Sequence, residues 1–472
     1  MFGDFGYPRS LVPARANVRK YMTYSSRVFR PFLLAAALAA AGCGGSSGGS
    51  SAVPPGPKPT PSPGAKIQHV VILIQENRTT DDLFNGFPGA DTVTKGLGKD
   101  PSQPGKQIVI PLKRVALRSK LTPANGYEQF LAEYDGGKMD GFNTVPVEHN
   151  PGTYVYQYVN PADVAPYWAL GKQYVFADRM FQTQGSGSFT AHQDLIAGGT
   201  LIDDTHALID NPSNEPWGCD APHSPPTVTS LITTAKQFLP DKGPFPCLDY
   251  KTLRDLLDAK GVGWKYYTPK IGQSFAGNIW NAFDAIRAVR YGPEWSANIA
   301  EPATLLTDIS SGKLPSVAWV CPEFDNSDHP GAGSDTGPSW IGQVVDALGE
   351  SSYWNTTAIV VVWDDWGGFY DHVAPPQIDY QGLGFRVPMV IVSPYAKSGL
   401  VSHERYEFGS IVKFVEDRFG LGRLGTTDVR ANSLDGVFDF SKPPRAFVPI
   451  RTKYSRAFFL HQAPSNHPLD GG

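Results

Sequence analysis

Two places in the chain set carboxylates beside another oxygen donor at the end of an apolar run. Glu76 and Asn77 follow His69–Ile74 (HVVILI), and Asp364 and Asp365 follow Ala358–Trp363 (AIVVVW). Adjacent carboxylates repel and lose hydration when buried, unless a cation neutralises them. Oxygen donors of this kind suit a hard divalent metal cation. Spacing alone equally allows two solvated loops whose acids cap helices. A third acidic stretch, Cys321-Pro322-Glu323-Phe324-Asp325-Asn326-Ser327-Asp328-His329, follows the run Val317–Val320 (VAWV).

A nucleophile candidate lies in Gln184-Gly185-Ser186-Gly187-Ser188-Phe189-Thr190-Ala191-His192, just before an apolar, helix-like run. Small residues let backbone approach a phosphate closely, and a helix N-terminus favours an anion. Ser188 could attack phosphorus if a metal lowers its hydroxyl pKa. By itself the pattern does not separate a catalytic loop from an ordinary one. It is neither a GxSxG elbow, a Walker loop nor a dinucleotide fingerprint. His329, His372 and His403 are acid/base candidates, each equally readable as a loop histidine bonded to backbone. His192 is expected only to pack or hydrogen-bond beside the serine loop.

The elements that must position these groups read as α/β. The runs His69–Ile74, Val317–Val320, Ala358–Trp363 and Pro388–Val392 are continuously apolar, as in strands covered on both faces of a parallel sheet. Helix-like stretches lie at Tyr250–Ala259, Trp280–Arg290, Ser339–Leu348 and Glu407–Arg418, and alternation of the two types argues a layered fold. In open α/β sheets ligands bind beyond the carboxyl ends of strands, where all three acidic stretches fall. No internal repeat is evident. A net charge of −4 without a Lys/Arg run gives no basic face for nucleic acid.

The N-terminal region reads as an export signal. Arg27 and Arg30 precede an apolar run ending Ala40-Ala41-Gly42-Cys43, too short to span a bilayer and similar to a bacterial lipobox whose cysteine is lipidated. Met22 is an alternative start, and a plain secretory cut near Ala41 is the alternative processing. Residues 44–65, rich in Gly, Ser and then Pro, form a tether. The expected organisation is therefore a signal over 1–43, a linker over 44–65, a catalytic domain over 66–460 and a tail over 461–472, with membrane contact through lipidated Cys43. Cys219 and Cys247, in similar Pro-rich loops, are expected to pair in an oxidising compartment, leaving Cys321 as a buried thiol.

Taken together, four motifs resemble the bacterial phosphoesterase family of phosphatidylcholine-type phospholipases C and a related acid phosphatase. They are Gln75–Phe84 (QENRTTDDLF), Gly136–Phe142 (GGKMDGF), Asp364–Val373 (DDWGGFYDHV) and Tyr406–Ile411 (YEFGSI), in the family's order. The resemblance extends from about His69 to Phe419. It implies a three-layer α/β/α alkaline-phosphatase-like core with a mostly parallel sheet and loop-rich insertions. It also implies that Glu76, Asn77, Asp364 and Asp365 hold a divalent metal cation, with Ser188 as nucleophile and further ligand. His329 matches the family's histidine before proline and is expected to bind phosphate or protonate the leaving group. Trp366 and Asn125 stand where many members carry histidine.

The expected activity is metal-dependent hydrolysis of phosphate esters or phospholipids through a phosphoserine. An acid phosphatase is the second reading, and a catalytically silent surface-binding lipoprotein the third. The lack of a CxPxR-type segment to supply a formylglycine argues against a sulfatase.

Overall fold

In the computed structural model, which describes residues 66–118, 121–147 and 151–465, the apolar runs lie side by side in one sheet. Its eight strands are His69–Gln75 (β1), Val175–Ala177 (β2), Trp264–Tyr267 (β3), Ile299–Ala300 (β4), Val317–Val320 (β5), Thr357–Trp363 (β6), Met389–Val392 (β7) and Leu400–Ser402 (β8). Their order is β4-β3-β5-β1-β6-β7-β2-β8. Every neighbouring pair is parallel except those made by β7, which runs antiparallel to β6 and β2. The run at Pro388–Val392 thus forms a buried strand but reverses the expected direction. No α-helix intervenes between Trp363 and Met389, and a parallel return would need such a crossover.

The five main helices are Ala165–Gln173 (α1), Ser188–Ala197 (α2), Pro302–Ser310 (α3), Gly337–Gly349 (α4) and Phe408–Phe419 (α5). Strand alternation sorts them into two layers. Trp319 lies opposite Ile72 and Trp363 opposite Gln75, so the two tryptophans point to opposite faces. Trp319 donates its indole N–H to the Leu195 carbonyl of α2 at 3.2 Å. Trp363 meets the Tyr167 ring of α1 edge-on, 4.9 Å between centroids. Helix α5 packs with α2, and α4 packs with α1 and α3. The result is an α/β/α sandwich.

The predicted helix over Trp280–Arg290 is broken into a 3-10 turn at Ala282–Ala285 and one helical turn at Arg287–Arg290. Leu248 diverts the backbone there: its N–H donates to the Ala285 carbonyl, and its carbonyl accepts from Arg287, each bond near sheet geometry at 2.7 and 2.9 Å. The other three predicted helices are present, with Tyr250–Ala259 starting at Leu253 under a capping box from Thr252 and Asp255.

Cys219 and Cys247 form a disulfide, and Cys321 is a buried free thiol. A three-stranded antiparallel insertion (His206–Ile209, Ser230–Thr233, Phe238–Leu239) lies outside the main sheet. The aromatic side chains of Phe130, Phe142, Tyr156, Trp366, Tyr370 and Phe385 form a second core. Residues up to Ser465 bond to the body of the fold: Ser465 to Glu323 and Asp325, and Gln462 to Asn326. The export signal, Cys43 and the tether lie outside the described residues. Among the described residues no helix is long and apolar enough to cross a membrane.

Candidate active site

Alternation along β1 decides where Glu76 goes. Ile72 and Ile74 face the α2 layer, and one further step carries Glu76 to the same side. The Asp364 N–H donates to the Gln75 carbonyl at 2.9 Å, extending the β1–β6 ladder by one residue and bringing Asp364 beside Glu76. Asn77 then turns the chain with φ 58°, a conformation asparagine tolerates better than most residues. Its N–H donates to Asp364 Oδ1 at 3.0 Å. Gly367 closes over this turn with φ 62°, and a side chain there would place Cβ 2.3 Å from the Asn77 carbonyl oxygen.

Helix α2 supplies the opposite wall. Ser188 is its first residue after Gly187, and the Asn211 side chain caps it by accepting from the Phe189 N–H at 3.0 Å. The Ser188 hydroxyl donates to Asp365 Oδ2 at 2.9 Å. Asp365 Oδ1 accepts from Asn125 Nδ2 at 2.8 Å and the Gly367 N–H at 2.7 Å. One helical turn beyond Ser188, His192 lies on the same face, with Nε2 3.0 Å from Glu76 Oε1 and 3.8 Å from Asp364 Oδ2. Glu76, His192 and Asp364 thus converge.

These groups are costly as they stand. Glu76, Asp364 and Asp365 are fully buried, and among the described residues none pairs with lysine or arginine. Burial first, then the neighbouring Asp364, pushes Glu76 well above the usual carboxylate range. Asp365 is raised well above that range for the same two reasons. Burial lowers His192 to about 4, so it is neutral near pH 7. Glu76 Oε2, Asn77 Oδ1 and Asp364 Oδ2 are buried without a hydrogen-bond partner. Buried oxygens left in this state cost free energy. An all-oxygen set plus one imidazole, with its lone pairs unspent, fits a divalent cation.

The site opens into a cleft of about 740 Å³ whose lining includes Ser188, Asn77, Asn125, His329, Trp217 and Glu215. His329 is half-buried, its ring 5.0 Å from that of Phe324 and 5.9 Å from that of Trp280. Its loop is tied to the β1 end: the Ser327 carbonyl accepts from the Glu76 N–H at 2.8 Å, and the Asp328 carbonyl from Arg78 Nε at 3.0 Å.

The structure therefore brings together Glu76, Asn77, Asp364, Asp365 and Ser188, with His329 in the same cleft. The acids of the third stretch serve elsewhere. Asp328 accepts from the Tyr167 hydroxyl at 2.6 Å, and Glu323 from Ser274 at 2.8 Å. His372 and His403 belong to a separate network. His372 contacts Asp81 at 2.6 Å and Asp91 at 3.1 Å, and half-exposed His403 contacts Asp178 at 2.9 Å. In that network Arg386 grips Asp371 through two bonds of 2.8 and 3.0 Å. Sequence reasoning expected His192 only to pack or hydrogen-bond, without placing it beside Glu76, and passed over Asp210 and Asn211. The four-residue spacing from Ser188 to His192 was the available signal for the first; nothing local marks the other two.

A model of the Phosphoesterase family matches residues 67–422. Phospholipase C A of Mycobacterium tuberculosis is 25% identical over 448 residues, covering 84% of this chain and 81% of that protein. Non-hemolytic phospholipase C of Pseudomonas aeruginosa is 25% identical over 449 residues, covering 83% of this chain and 60% of that protein. Among solved structures, an alkaline phosphatase superfamily protein from Vibrio parahaemolyticus superposes with a TM-score of 0.37 at 11% identity, covering 79% of this chain and 72% of that one.

Proposed function

The chain belongs to the Phosphoesterase family and hydrolyses phosphoric ester bonds, and we propose that it does so as an exported, metal-dependent phospholipase C-like enzyme with Ser188 as nucleophile. The observation that carries the reading is the Ser188 hydroxyl at a helix N-terminus, bonded to Asp365 and facing the cleft beside unpartnered carboxylates.

In this mechanism Glu76, Asn77, Asp364, Asp365 and Ser188 hold one divalent cation. When bound, the cation supplies positive charge that stabilises the serine alkoxide and the charge building on the phosphoryl oxygens. Asp365 Oδ2 already accepts the Ser188 hydrogen bond and receives its proton as Oγ attacks phosphorus. The N-terminus of α2 faces the incoming anion. His329 donates a proton to the leaving alcohol as its bond to phosphorus breaks. It then takes a proton from the water that attacks the phosphoserine, while Asp365 returns its proton to Ser188 Oγ as the Oγ–P bond breaks, restoring both groups. Positioning and charge neutralisation provide most of the rate gain.

The cleft favours a diester over a monoester. Among the described residues its lining includes Asp210 and Glu215 but no lysine or arginine; burial raises both acids to about 7, so above that pH a doubly charged phosphate monoester would meet more repulsion than a singly charged diester. Trp217, half-buried in the cleft lining, offers its ring to an apolar or cationic alcohol. In the same reading the catalytic domain over 66–460 is carried by the export signal and tethered through lipidated Cys43. The mass of the mature N-terminus tests that anchor.

The functional test is hydrolysis of p-nitrophenyl phosphorylcholine and p-nitrophenyl phosphate, with and without chelator, beside Ser188→Ala. Chelator-sensitive, Ser188-dependent release with the diester preferred is the expected result. Full activity in Ser188→Ala would remove the nucleophile assignment, and preference for the monoester would make the enzyme a phosphatase.

A further inference from the structure

We propose that His192 is itself a ligand of the divalent cation, bound through Nε2 beside Glu76 and Asp364, so that the centre has a mixed nitrogen and oxygen donor set. The inference rests on the metallophosphoesterase reading above and goes beyond its all-oxygen ligand set.

Distance is the first argument. Two ligand atoms each about 2.1 Å from one ion lie about 3.0 Å apart at right angles and about 4.2 Å apart when opposite. The separations from His192 Nε2 are 3.0 Å to Glu76 Oε1 and 3.8 Å to Asp364 Oδ2, inside that span. All three groups are fully buried and come from three different elements, so the ring cannot swing away to solvent.

The second argument is the far side of the ring. The Tyr266 hydroxyl donates to the Trp280 carbonyl at 2.9 Å, and its oxygen accepts a long bond from the Ala282 N–H at 3.5 Å. That oxygen lies 3.5 Å from His192 Nδ1, with Cys321 Sγ at 3.6 Å. A proton on Nδ1 has an acceptor there, and the Nε2 lone pair then points at Glu76 and Asp364. Histidine ligands are typically oriented in this manner, by an acceptor behind the non-ligating nitrogen. The Trp280 ring lies nearly parallel to the imidazole, 6.3 Å between centroids and 12° between planes, and fixes its tilt. Opposite the lone pair, Glu76 Oε2 and Asp364 Oδ2 have no hydrogen-bond partner. An imidazole among the ligands moves selectivity from magnesium and calcium toward manganese, iron, cobalt or zinc.

Pulsed EPR of the purified full chain loaded with Mn2+ tests this. The wild-type protein is expected to show the 14N hyperfine coupling of one directly bound imidazole. The coupling should change to that of 15N when histidine alone is labelled. His192→Gln should lose it and bind Mn2+ about tenfold or more weakly. A labelled wild type that binds Mn2+ without nitrogen coupling overturns the inference even if the variant does not fold. Stoichiometric Mn2+ without nitrogen coupling would reduce His192 to a hydrogen-bond donor to Glu76, overturning the inference while leaving the proposed function intact. Coupling that persists in His192→Gln overturns it as well. A wild-type chain that binds no Mn2+ would remove both.

Discussion

Two buried acidic clusters sit on this fold, and they solve the same electrostatic problem in different ways. Around Asp371 and Asp81 the counter-charge is built in. Arg386 is fully buried, holds Asp371 with both carboxylate oxygens engaged, and donates to the Asp91 and Asp178 carbonyls at 3.0 Å. His372 bonds Asp81 through both its backbone N–H and its ring. Around Glu76 and Asp364 no such cation is supplied, and oxygens are left without partners. Both clusters have three ligand-type side chains close enough to share an ion. Proximity of acids is therefore a poor guide to a metal site, and what separates the two is whether the lone pairs are already used. A cluster that carries its own arginine is already neutralised, and one left short of a cation could take one from solvent.

The contrast can be broken or sharpened by substitution. The largest expected effect is on turnover: Ser188→Ala should lower it by about a thousandfold or more while its thermal unfolding still responds to added divalent cation. Loss of that response would mean that Ser188 holds the site together rather than only reacting. Next, Arg386→Met should destabilise the fold by about 3–5 kcal/mol, since it leaves buried carboxylates uncompensated. Denaturant unfolding measures it, and the gap to wild type should be the same with and without Mn2+, which stabilises both proteins through the Glu76 site. A gap that closes when the metal is added would make the Asp371 cluster a cation site too and erase the distinction.

A smaller effect, of opposite sign, is expected from Asp364→Asn. Without metal this variant should be at least as stable as the wild type, because it removes one of the crowded buried charges. It should also lose the metal-dependent gain, about 2.7 kcal/mol at a hundred times Kd. A variant that is less stable without metal and still gains from it would show that Asp364 is structural. The smallest effect concerns His372. Burial alone would lower its pKa, but the hydrogen bond and charge of Asp81 hold it above the ordinary value. A raised folded-state pKa contributes stability below the unfolded value of about 6.5, and that contribution is lost as pH rises through the folded value. The stability difference between wild type and His372→Gln should therefore be larger at pH 5.5 than at pH 8.5. A difference that grows with pH would contradict the ion pair.

Much of the fold was legible because fully buried strands must be apolar on both faces. His69–Ile74, Val317–Val320 and Ala358–Trp363 announce themselves in that way. The direction of Met389–Val392 was not legible, since a parallel and an antiparallel buried strand have the same composition. Nor was the break within Trp280–Arg290, which depends on Leu248, more than thirty residues away in sequence. Strands of two or three residues such as Ile299–Ala300 and Val175–Ala177 are too short to carry a period.

For the site, the sequence by itself determined the chemical inventory: acid and amide at Glu76 and Asn77, the Asp364–Asp365 pair, and a serine at the start of a helix. Local rules placed each at the end of an element, because an apolar run must stop where polar groups need water or a ligand. Tertiary structure decided the rest. Only the parallel pairing of β1 with β6 sets Glu76 beside Asp364, and only the packing of α2 on that face brings Ser188 to Asp365 and His192 to Glu76. Of the histidines that sequence singled out, the fold kept His329 in the cleft and spent His372 and His403 on carboxylates elsewhere. The physical reason is that charge compensation is a property of what lies within a few ångströms, and distance in space is what the linear chain does not state.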